Sequence, residues 1–341
     1  MGVDRARRGP ACGGRHLRRN ALRALITGIA GFAGSHLADH LLTQPGVQVC
    51  GVSLPTDGTR NLEQVLERVT LRFADLCDYD RVLELLDAQR PDLIYHLAAQ
   101  ASVERAWANP AGTLVNNITV QLHLLQAVIA LGLRPRILVI GSADEYGAVT
   151  PQDMPIDEDT PLRPLNPYAV SKVAQDYLGL QYHLSHQLHV VRVRPFNHIG
   201  PRQGPGFAVP DFCRQIAAIE AGQQEPVLRV GNLDARRDFS DVRDMVRGYA
   251  LALRHGQPGQ VYNIGSGRSH SIQEMLDRLL ALGRVPIRVE SDPALARPAD
   301  IPEVVCDSTR FRQDTGWEPH YDLAQTLRDV LDDWRQRTAT A

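Results

Sequence analysis

Short apolar runs alternate with longer segments of helical periodicity over the first 195 residues of the chain. The runs that indicate strands are LRALIT, VQVCGVS, DLIYHLA, RILVIGS and HVVRVRPF. The segments that indicate helices are FAGSHLADHLL, a stretch around 81–89, a long stretch from about 113 to 130 and one that begins near 166. Strands that alternate with helices are typical of βαβ units. Together with a third strand before Asp75 in FADLCD, these runs give at least six strands, and the pattern predicts an α/β fold with a doubly wound parallel sheet and ligands at the carboxyl ends of its strands.

The sequence changes in character after Pro195, with shorter strands, isolated helices and more Pro and Gly. This change predicts a smaller α/β lobe that binds substrate, while the stretch 241–265 is expected to return to the larger domain. The predicted Rossmann domain covers 21–195 plus about 239–267, and the predicted substrate lobe covers about 196–238 plus 268–338. The first twenty residues are rich in Arg and Gly and predict a disordered basic arm.

Composition narrows the function classes. The chain has 341 residues, of which 43% are hydrophobic and 22% charged, as in ordinary globular proteins. A net charge of −2 gives no long-range reason to expect a nucleic-acid partner, and no apolar run suggests a role in a membrane. The five cysteines are scattered without a C-x-x-C pair, and the twelve histidines form no ligand-spaced cluster. We therefore expect no metal site and a reducing, cytoplasmic location.

A glycine loop follows the first predicted strand. Gly28, Gly31 and Gly34 form a G-x-x-G-x-x-G spacing directly before a helix, with Phe32 and Ala33 between the last two glycines. Small residues let the backbone approach a pyrophosphate, and the helix N-terminus supplies unpaired N–H groups. The loop predicts a dinucleotide site.

The choice between NAD(H) and NADP(H) depends on the end of the second strand. Ser53 stands where an acidic residue would accept a hydrogen bond from the ribose 2′-hydroxyl. The absence of an acidic residue there favours NADP. Arg60 is either a partner for the 2′-phosphate or a solvated loop arginine. Asp75 is placed either to reach the adenine edge or to cap a helix. The site is expected to accept both cofactors.

Three residues indicate hydride transfer. Tyr168 and Lys172 lie four positions apart in NPYAVSK, on one face of a predicted helix. A nearby ammonium lowers the pKa of a tyrosine hydroxyl, which is otherwise a poor base at neutral pH. Ser142 follows a buried strand, where its hydroxyl can polarise a carbonyl oxygen shared with Tyr168. The combination predicts chemistry at a sugar-like alcohol or ketone carbon.

In these motifs the chain resembles the extended short-chain dehydrogenase/reductases of nucleotide sugars, from Leu22 almost to the C-terminus. It is similar above all to the GDP-4-keto-6-deoxy-mannose reductases, which make GDP-rhamnose, and also to the GDP-mannose 4,6-dehydratases. The matching segments are GIAGFAG, HLAAQASV, GSADEYG, NPYAVSK, RPFNHIGP, VGNLDARRDFSDVRD and ARPADIP.

The resemblance implies a role for each matching residue. It makes Tyr168 the acid/base and Ser142 the group that polarises the substrate oxygen, with Lys172 lowering the pKa of Tyr168. The implied cofactor contacts are Gly28, Gly31, Phe32, Ala33, Gly34, Ser53, Asp75, Leu76, Leu97, Ala98, Ala99, Tyr168 and Lys172. The implied contacts to the nucleotide-diphosphate sugar are Ser102, Asn197, Arg237, Arg297 and Asp300. A homodimer formed through a four-helix bundle is also implied.

The reaction type depends on the residues beside Ser142. A 4,6-dehydratase carries a glutamate two positions after its Ser or Thr, but this chain has the shorter Asp144 there and Glu145 one step further. An error of about 1 Å in the reach of a catalytic group can cost on the order of a hundredfold in rate. Reduction therefore ranks first, dehydration second and 4-epimerisation third, with Asp144 kept as a candidate catalytic residue. A catalytically silent dinucleotide-binding scaffold is the alternative from another class.

Overall fold

The computed structural model describes residues 21–295 and 301–340, which form strands and helices in close alternation. The strands are β1 (Leu22–Thr27), β2 (Val47–Ser53), β3 (Thr70–Phe73), β4 (Leu93–His96), β5 (Arg136–Ile140), β6 (His189–Pro195), β7 (Asn197–Ile199), β8 (Val227–Val230), β9 (Arg236–Asp241), β10 (Val261–Ile264), β11 (Ser269–Ser271), β12 (Arg288–Ser291) and β13 (Glu303–Val304). The helices are α1 (Phe32–Leu42), α2 (Tyr79–Gln89), α3 (Val103–Ala108), α4 (Pro110–Ala130), α5 (Pro167–His186), α6 (Ala208–Glu220), α7 (Val242–His255), α8 (Ile272–Ala281), α9 (Thr309–Thr315) and α10 (Leu323–Ala339).

Seven parallel strands form the central sheet, in the order β10-β6-β5-β4-β1-β2-β3. Leu25 of β1 pairs with Cys50 of β2 on one side and with Ile94 of β4 on the other. The chain order reverses at β1, so the loops after β1 and β4 diverge and leave a crevice at the carboxyl ends of the strands. The predicted doubly wound Rossmann sheet is confirmed.

Helices cover both faces of this sheet. On one face α1 and α7 pack over buried residues such as Leu37 and Tyr249, and on the other α2, α4 and α5 pack over residues such as Leu86 and Leu124. By length and composition α4 is the one helix of the described residues that qualifies as a membrane span. It packs against α5 and α2, and 44% of its most apolar window is buried. Because it packs against neighbouring helices in this way, α4 resembles a core helix of a globular domain.

A second lobe follows β6 and has its own core. Helices α6, α8 and α10 pack together over a cluster that includes Phe212, Leu276 and Leu331. Strand β9 pairs with β7, β11 and β13, while β8 pairs with β12, so this lobe contains two small sheets. The prediction of a smaller α/β lobe agrees with this arrangement.

Two segment boundaries differ from the expected ones. Strand β9 runs to Asp241 inside the small sheet, so the return to the large domain begins with α7 rather than at about 239. Helix α9, expected in the second lobe, packs against α7 and β10 because Phe311 and the nearby Trp317 are fully buried in the core of the large sheet. The expected basic arm, 1–20, lies outside the described residues.

Candidate active site

A cavity of about 1230 Å³ opens at the carboxyl ends of β1 to β6, where the sheet order reverses. All thirteen residues that the resemblance implies as cofactor contacts line it, from the glycine loop to Lys172. Ser142, Asp144 and Asn197 line it as well. The structure therefore brings the predicted cofactor and catalytic groups to one continuous site.

The glycine loop is held tightly at one end of the cavity. A Cβ atom on Gly34 would lie 2.2 Å from the carbonyl oxygen of Gly28, so only glycine fits where α1 passes over the loop. The backbone N–H of Ala30 donates to Ser53 Oγ at 3.2 Å, and Asn61 Nδ2 donates to the Ala30 carbonyl at 3.0 Å. These contacts leave the start of α1 open towards the cavity, as anion binding at a helix N-terminus requires.

Ser53, Arg60 and Asp75 line the end of the cavity beside β2 and β3. Arg60 is exposed, and its guanidinium lies 3.5 Å from the hydroxyl of Thr340 near the end of the chain. The Asp75 carboxylate accepts the backbone N–H of Cys77, whereas the residue that caps α2 is Asp78. The alternative that Asp75 caps a helix is therefore wrong, because α2 begins at Tyr79, four residues later.

Tyr168 and Lys172 project from the first two turns of α5 towards the end of β5. Asn166 caps the helix by accepting the backbone N–H of Ala169 at 2.8 Å. Lys172 Nζ donates to the Ile140 carbonyl at 2.9 Å and lies 5.8 Å from the centre of the Tyr168 ring. Ser142, two residues beyond Ile140, forms a hydrogen bond with Tyr168 and accepts the backbone N–H of Asp144 at 3.1 Å. The three side chains predicted to act together thus lie close to one another at the end of β5.

Burial changes the pKa values of both groups on α5. It raises the pKa of Tyr168 above its ordinary value, with further raising by the charges of Asp144 and Glu145, although the hydrogen bond from Ser142 opposes this. It lowers the pKa of Lys172 from 10.5 to about 8. The expected lowering of the Tyr168 pKa by Lys172 does not appear among these causes, and burial sets the direction of the shift. A tyrosine with a raised pKa keeps its proton and is suited to donate it.

The two acids after Ser142 point in different directions. Asp144 lies on the cavity wall, close enough to Tyr168 for its charge to raise that pKa. Glu145 is fully buried behind the wall, where it accepts the backbone N–H of Ser142 at 2.8 Å and pairs with Arg194 at 3.1 Å. Only Asp144 of this pair faces the cavity.

Only some of the residues expected to bind the nucleotide sugar lie at the cavity. Asn197 is exposed on the cavity wall, but the Ser102 hydroxyl caps α3 by accepting the backbone N–H of Arg105. Arg237 lies on β9, away from the lining residues, where its guanidinium donates to the carbonyls of Arg236 and Ile301. The expected contacts Arg297 and Asp300 lie outside the described residues.

Several lining residues were missed by sequence reasoning. They include Asn61, Arg105, Asn116, His198, Gln203, Phe207 and Tyr249. The His198 ring stacks on Phe32 of the glycine loop with centroids 5.8 Å apart, and burial lowers the pKa of His198. Its place beside Asn197 in RPFNHIGP was a usable signal, whereas the others lie outside the quoted motifs, on helices such as α3, α4 and α7 or on loops.

Lys172 is the single lysine among the 37 Lys and Arg residues of the sequence. Every other basic side chain apart from histidine is therefore an arginine. The one ammonium side chain of this protein lies in the cavity wall, 5% exposed.

Comparison with known proteins is consistent with this geometry. The family model described as GDP-mannose 4,6 dehydratase matches residues 25–330. The chain is similar to the GDP-6-deoxy-D-mannose reductase of Pseudomonas aeruginosa, with 37% identity over 92% of this chain and 98% of that protein. It is also similar to a GDP-mannose 4,6-dehydratase of Sinorhizobium fredii, with 29% identity over 86% of this chain and 91% of that one. The solved structure of RMD from Pseudomonas aeruginosa complexed with NADPH superposes with a TM-score of 0.81 at 36% identity, covering 93% and 99% of the two chains.

Proposed function

The chain belongs to the GDP-mannose 4,6-dehydratase family, and on that premise we propose that it is an NAD(P)H-dependent reductase of nucleotide-linked 4-keto-6-deoxy sugars. The proposed reaction converts GDP-4-dehydro-6-deoxy-D-mannose into GDP-D-rhamnose. The observation that carries reduction is the placement of the two acids after Ser142, with Asp144 on the cavity wall and Glu145 turned away from it.

The cofactor is NAD(P)(H), and the residues at the glycine loop fit it. The open N-terminus of α1 and the glycine cradle would hold the pyrophosphate, and Lys172 would hold the nicotinamide ribose. When bound, the cofactor supplies the hydride. Ser53 in place of an acid and exposed Arg60 support a preference for NADPH, since an arginine forms charge-assisted hydrogen bonds with a phosphate.

Residues of the chain itself can supply the proton that the reduced substrate oxygen needs. Tyr168 holds its proton because its pKa is raised, so it donates to the substrate oxygen as the 4-keto carbon is reduced. The Ser142 oxygen accepts the N–H of Asp144, which leaves the Ser142 proton available for that same oxygen. Lys172 is held against Ile140 and keeps a positive charge near Tyr168 at neutral pH. No other proton donor is required for a simple reduction.

Dehydration is the second candidate because Asp144 does face the cavity beside Tyr168. It would need that carboxylate to remove the C5 proton and assist loss of the C6 hydroxyl, with a side chain one methylene shorter than glutamate. Epimerisation at C4 ranks third, since it uses the same three residues. In each case Asn197, Arg237, Arg297 and Asp300 are the proposed contacts to the nucleotide sugar.

Two parallel incubations test the ranking. One contains GDP-4-keto-6-deoxy-mannose with NADPH, and the other contains GDP-mannose with NADP⁺. We expect loss of NADPH absorbance and formation of GDP-rhamnose in the first, with no 4-keto product in the second. Conversion only in the second would establish the dehydratase instead, and no turnover in either would support a non-enzymatic scaffold.

A homodimer through α4 and α5 is part of the proposal. The two helices pack side by side and leave Val115, Tyr177 and Leu184 on their outer surface, 64%, 54% and 70% exposed. Two copies of this face would form a four-helix bundle and bury those side chains. Light scattering should give twice the chain mass, and Leu184→Glu should reduce it to the monomer mass. A wild-type monomer would contradict this proposal.

We also place the protein in the cytoplasm. Among the described residues Cys50, Cys77, Cys213 and Cys306 are free thiols, as is usual in a reducing compartment. Fractionation of cells that express the native chain would test this.

A further inference from the structure

Glu145 lies directly behind the catalytic wall and uses both carboxylate oxygens. Its Oε1 accepts the backbone N–H of Ser142 at 2.8 Å, and its Oε2 accepts Nε–H of Arg194 at 3.1 Å. The side chain is fully buried, so water cannot replace either contact. A carboxylate that accepts two N–H groups in this way fixes the backbone at Ser142 relative to β6.

The contact to Arg194 continues to the helix that carries the other catalytic groups. Asp176 of α5 accepts the same Nε–H of Arg194 at 2.9 Å, and it also accepts from Arg192 at 2.6 Å. Asp176 is 1% exposed and lies one helical turn beyond Lys172. A hydrogen bond from the Ser142 backbone to Glu145 thus continues through buried ion pairs to Arg194 and Asp176 of α5.

Gly141 gives an independent indication that the Glu145 carboxylate needs the space beside the Ser142 backbone. A Cβ atom on Gly141 would lie 2.3 Å from Glu145 Oε1 and 3.0 Å from the Val193 carbonyl oxygen. The carboxylate therefore occupies the space that any other residue at 141 would fill. Glycine before the catalytic serine and glutamate three residues after it form one packing unit.

We propose that Glu145 is a positioning residue for hydride transfer. Its clamp, the hydrogen bonds that join the Ser142 backbone to Arg194 and through it to Asp176, holds Ser142 in place relative to Tyr168. Glu145 does not touch the cavity and acts through Ser142. The inference rests on the proposed reductase function.

Glu145→Gln tests the clamp with almost no change of shape. A carboxylate accepts at both oxygens, whereas an amide has one accepting oxygen and one donating NH₂ group. Glutamine cannot accept at both positions: with its NH₂ group towards Ser142 it loses the Ser142 N–H, and with its NH₂ group towards Arg194, beside Asp176, it loses the accepting contact that joins Ser142 to β6. Because a displacement of about 1 Å at a catalytic group can cost about a hundredfold in rate, we expect kcat to fall by roughly tenfold to a hundredfold. The KM values for NADPH and for the nucleotide sugar should stay within about twofold.

Glu158→Gln is the matched control. Glu158 is also buried, accepts the backbone N–H of Asn263 at 2.8 Å and faces Arg310 at 3.5 Å, but its N–H partner lies in β10. A purely structural role predicts equal losses of melting temperature and of kcat in the two variants. If Glu145 positions Ser142, the two variants should lose similar amounts of melting temperature. The kcat of Glu158→Gln should nevertheless stay within about twofold of wild type.

Gly141→Ala provides a second route if Glu145→Gln does not fold. The added methyl group competes with the carboxylate for the same space and displaces it without removing a charge. We expect the same loss of kcat with unchanged KM values, and a double variant Gly141→Ala/Glu145→Gln that loses less than the two effects combined. Near wild-type kcat in the folded single variants, or additive losses in the double variant, would overturn the inference. Absence of turnover by the wild type would instead overturn the proposed function.

Discussion

Lys172→Met is expected to abolish hydride transfer and, at the same time, to stabilise the cofactor-free protein. Lys172 is 5% exposed, and the one described hydrogen bond of its ammonium is to the Ile140 carbonyl. Methionine has a similar length and shape but no charge to remove from water. The buried charge that catalysis requires therefore lowers the stability of the fold.

The magnitude follows from the pKa of this lysine. A fall from 10.5 to about 8 corresponds to about 3 kcal/mol of native-state cost for the ammonium, at about 1.4 kcal/mol per tenfold change in proton affinity. Loss of the hydrogen bond to Ile140 offsets about 1 kcal/mol of the gain. The variant should therefore gain about 2 kcal/mol in free energy of unfolding at pH 7, which corresponds to a rise of about 3 °C in melting temperature for a chain of this size.

The gain depends on pH with a definite sign. Below pH 8 the lysine is protonated in the folded and unfolded states, so the wild type bears the full cost of burial. Between pH 8 and 10.5 the native protein releases its proton before the unfolded chain does, so the wild type gains stability as pH rises. The difference between variant and wild type should be largest at pH 7 and should shrink towards pH 10.

Melting curves of the two cofactor-free proteins at pH 7 and pH 10 measure this difference. Because Lys172 is the single lysine, ¹³C-lysine labelling gives one side-chain resonance that reports its pKa directly. An apparent pKa near 10.5, or a lower melting temperature for Lys172→Met at pH 7, would refute the reasoning.

Three further changes test other parts of the site. Tyr168→Phe should lower kcat by about a hundredfold or more while the Kd for NADPH in fluorescence titration stays within about twofold, because only the proton donor is removed. Arg60→Ala should weaken NADPH binding by about tenfold and leave NADH binding unchanged, since only NADPH carries the 2′-phosphate; equal effects on both cofactors would contradict a phosphate contact. Gly34→Ala should prevent cofactor binding in calorimetry with little change in circular dichroism, because its methyl group would collide with the Gly28 carbonyl.

The sequence predicted the parts of the structure that depend on local pattern. Strand β2 and helix α1 have the bounds expected from VQVCGVS and FAGSHLADHLL, because apolar residues there are bounded by turn residues. The glycine loop and the Ser142, Tyr168 and Lys172 group also came from short motifs, and the structure brings them to one cavity.

What the sequence could not predict depends on contacts between distant segments. Glu145 meets Arg194 49 positions later, and nothing near either residue indicates the pair. The direction of the pKa shift of Tyr168 depends on burial by several elements, which a motif does not report. Arg237 was expected at the substrate, but the pairing of β9 with β13 brings its guanidinium to the Ile301 carbonyl.

The crossing of the chain between its two lobes has a consequence for truncation. Strand β10 pairs with β6, yet the chain reaches β10 only after building β7, β8 and β9 in the second lobe. A fragment that ends after β6 would therefore expose that strand as an unpaired sheet edge, and such edges promote aggregation. During synthesis the nucleotide-binding half stays incomplete until more than 260 residues have been made, so the two lobes must mature as one folding unit.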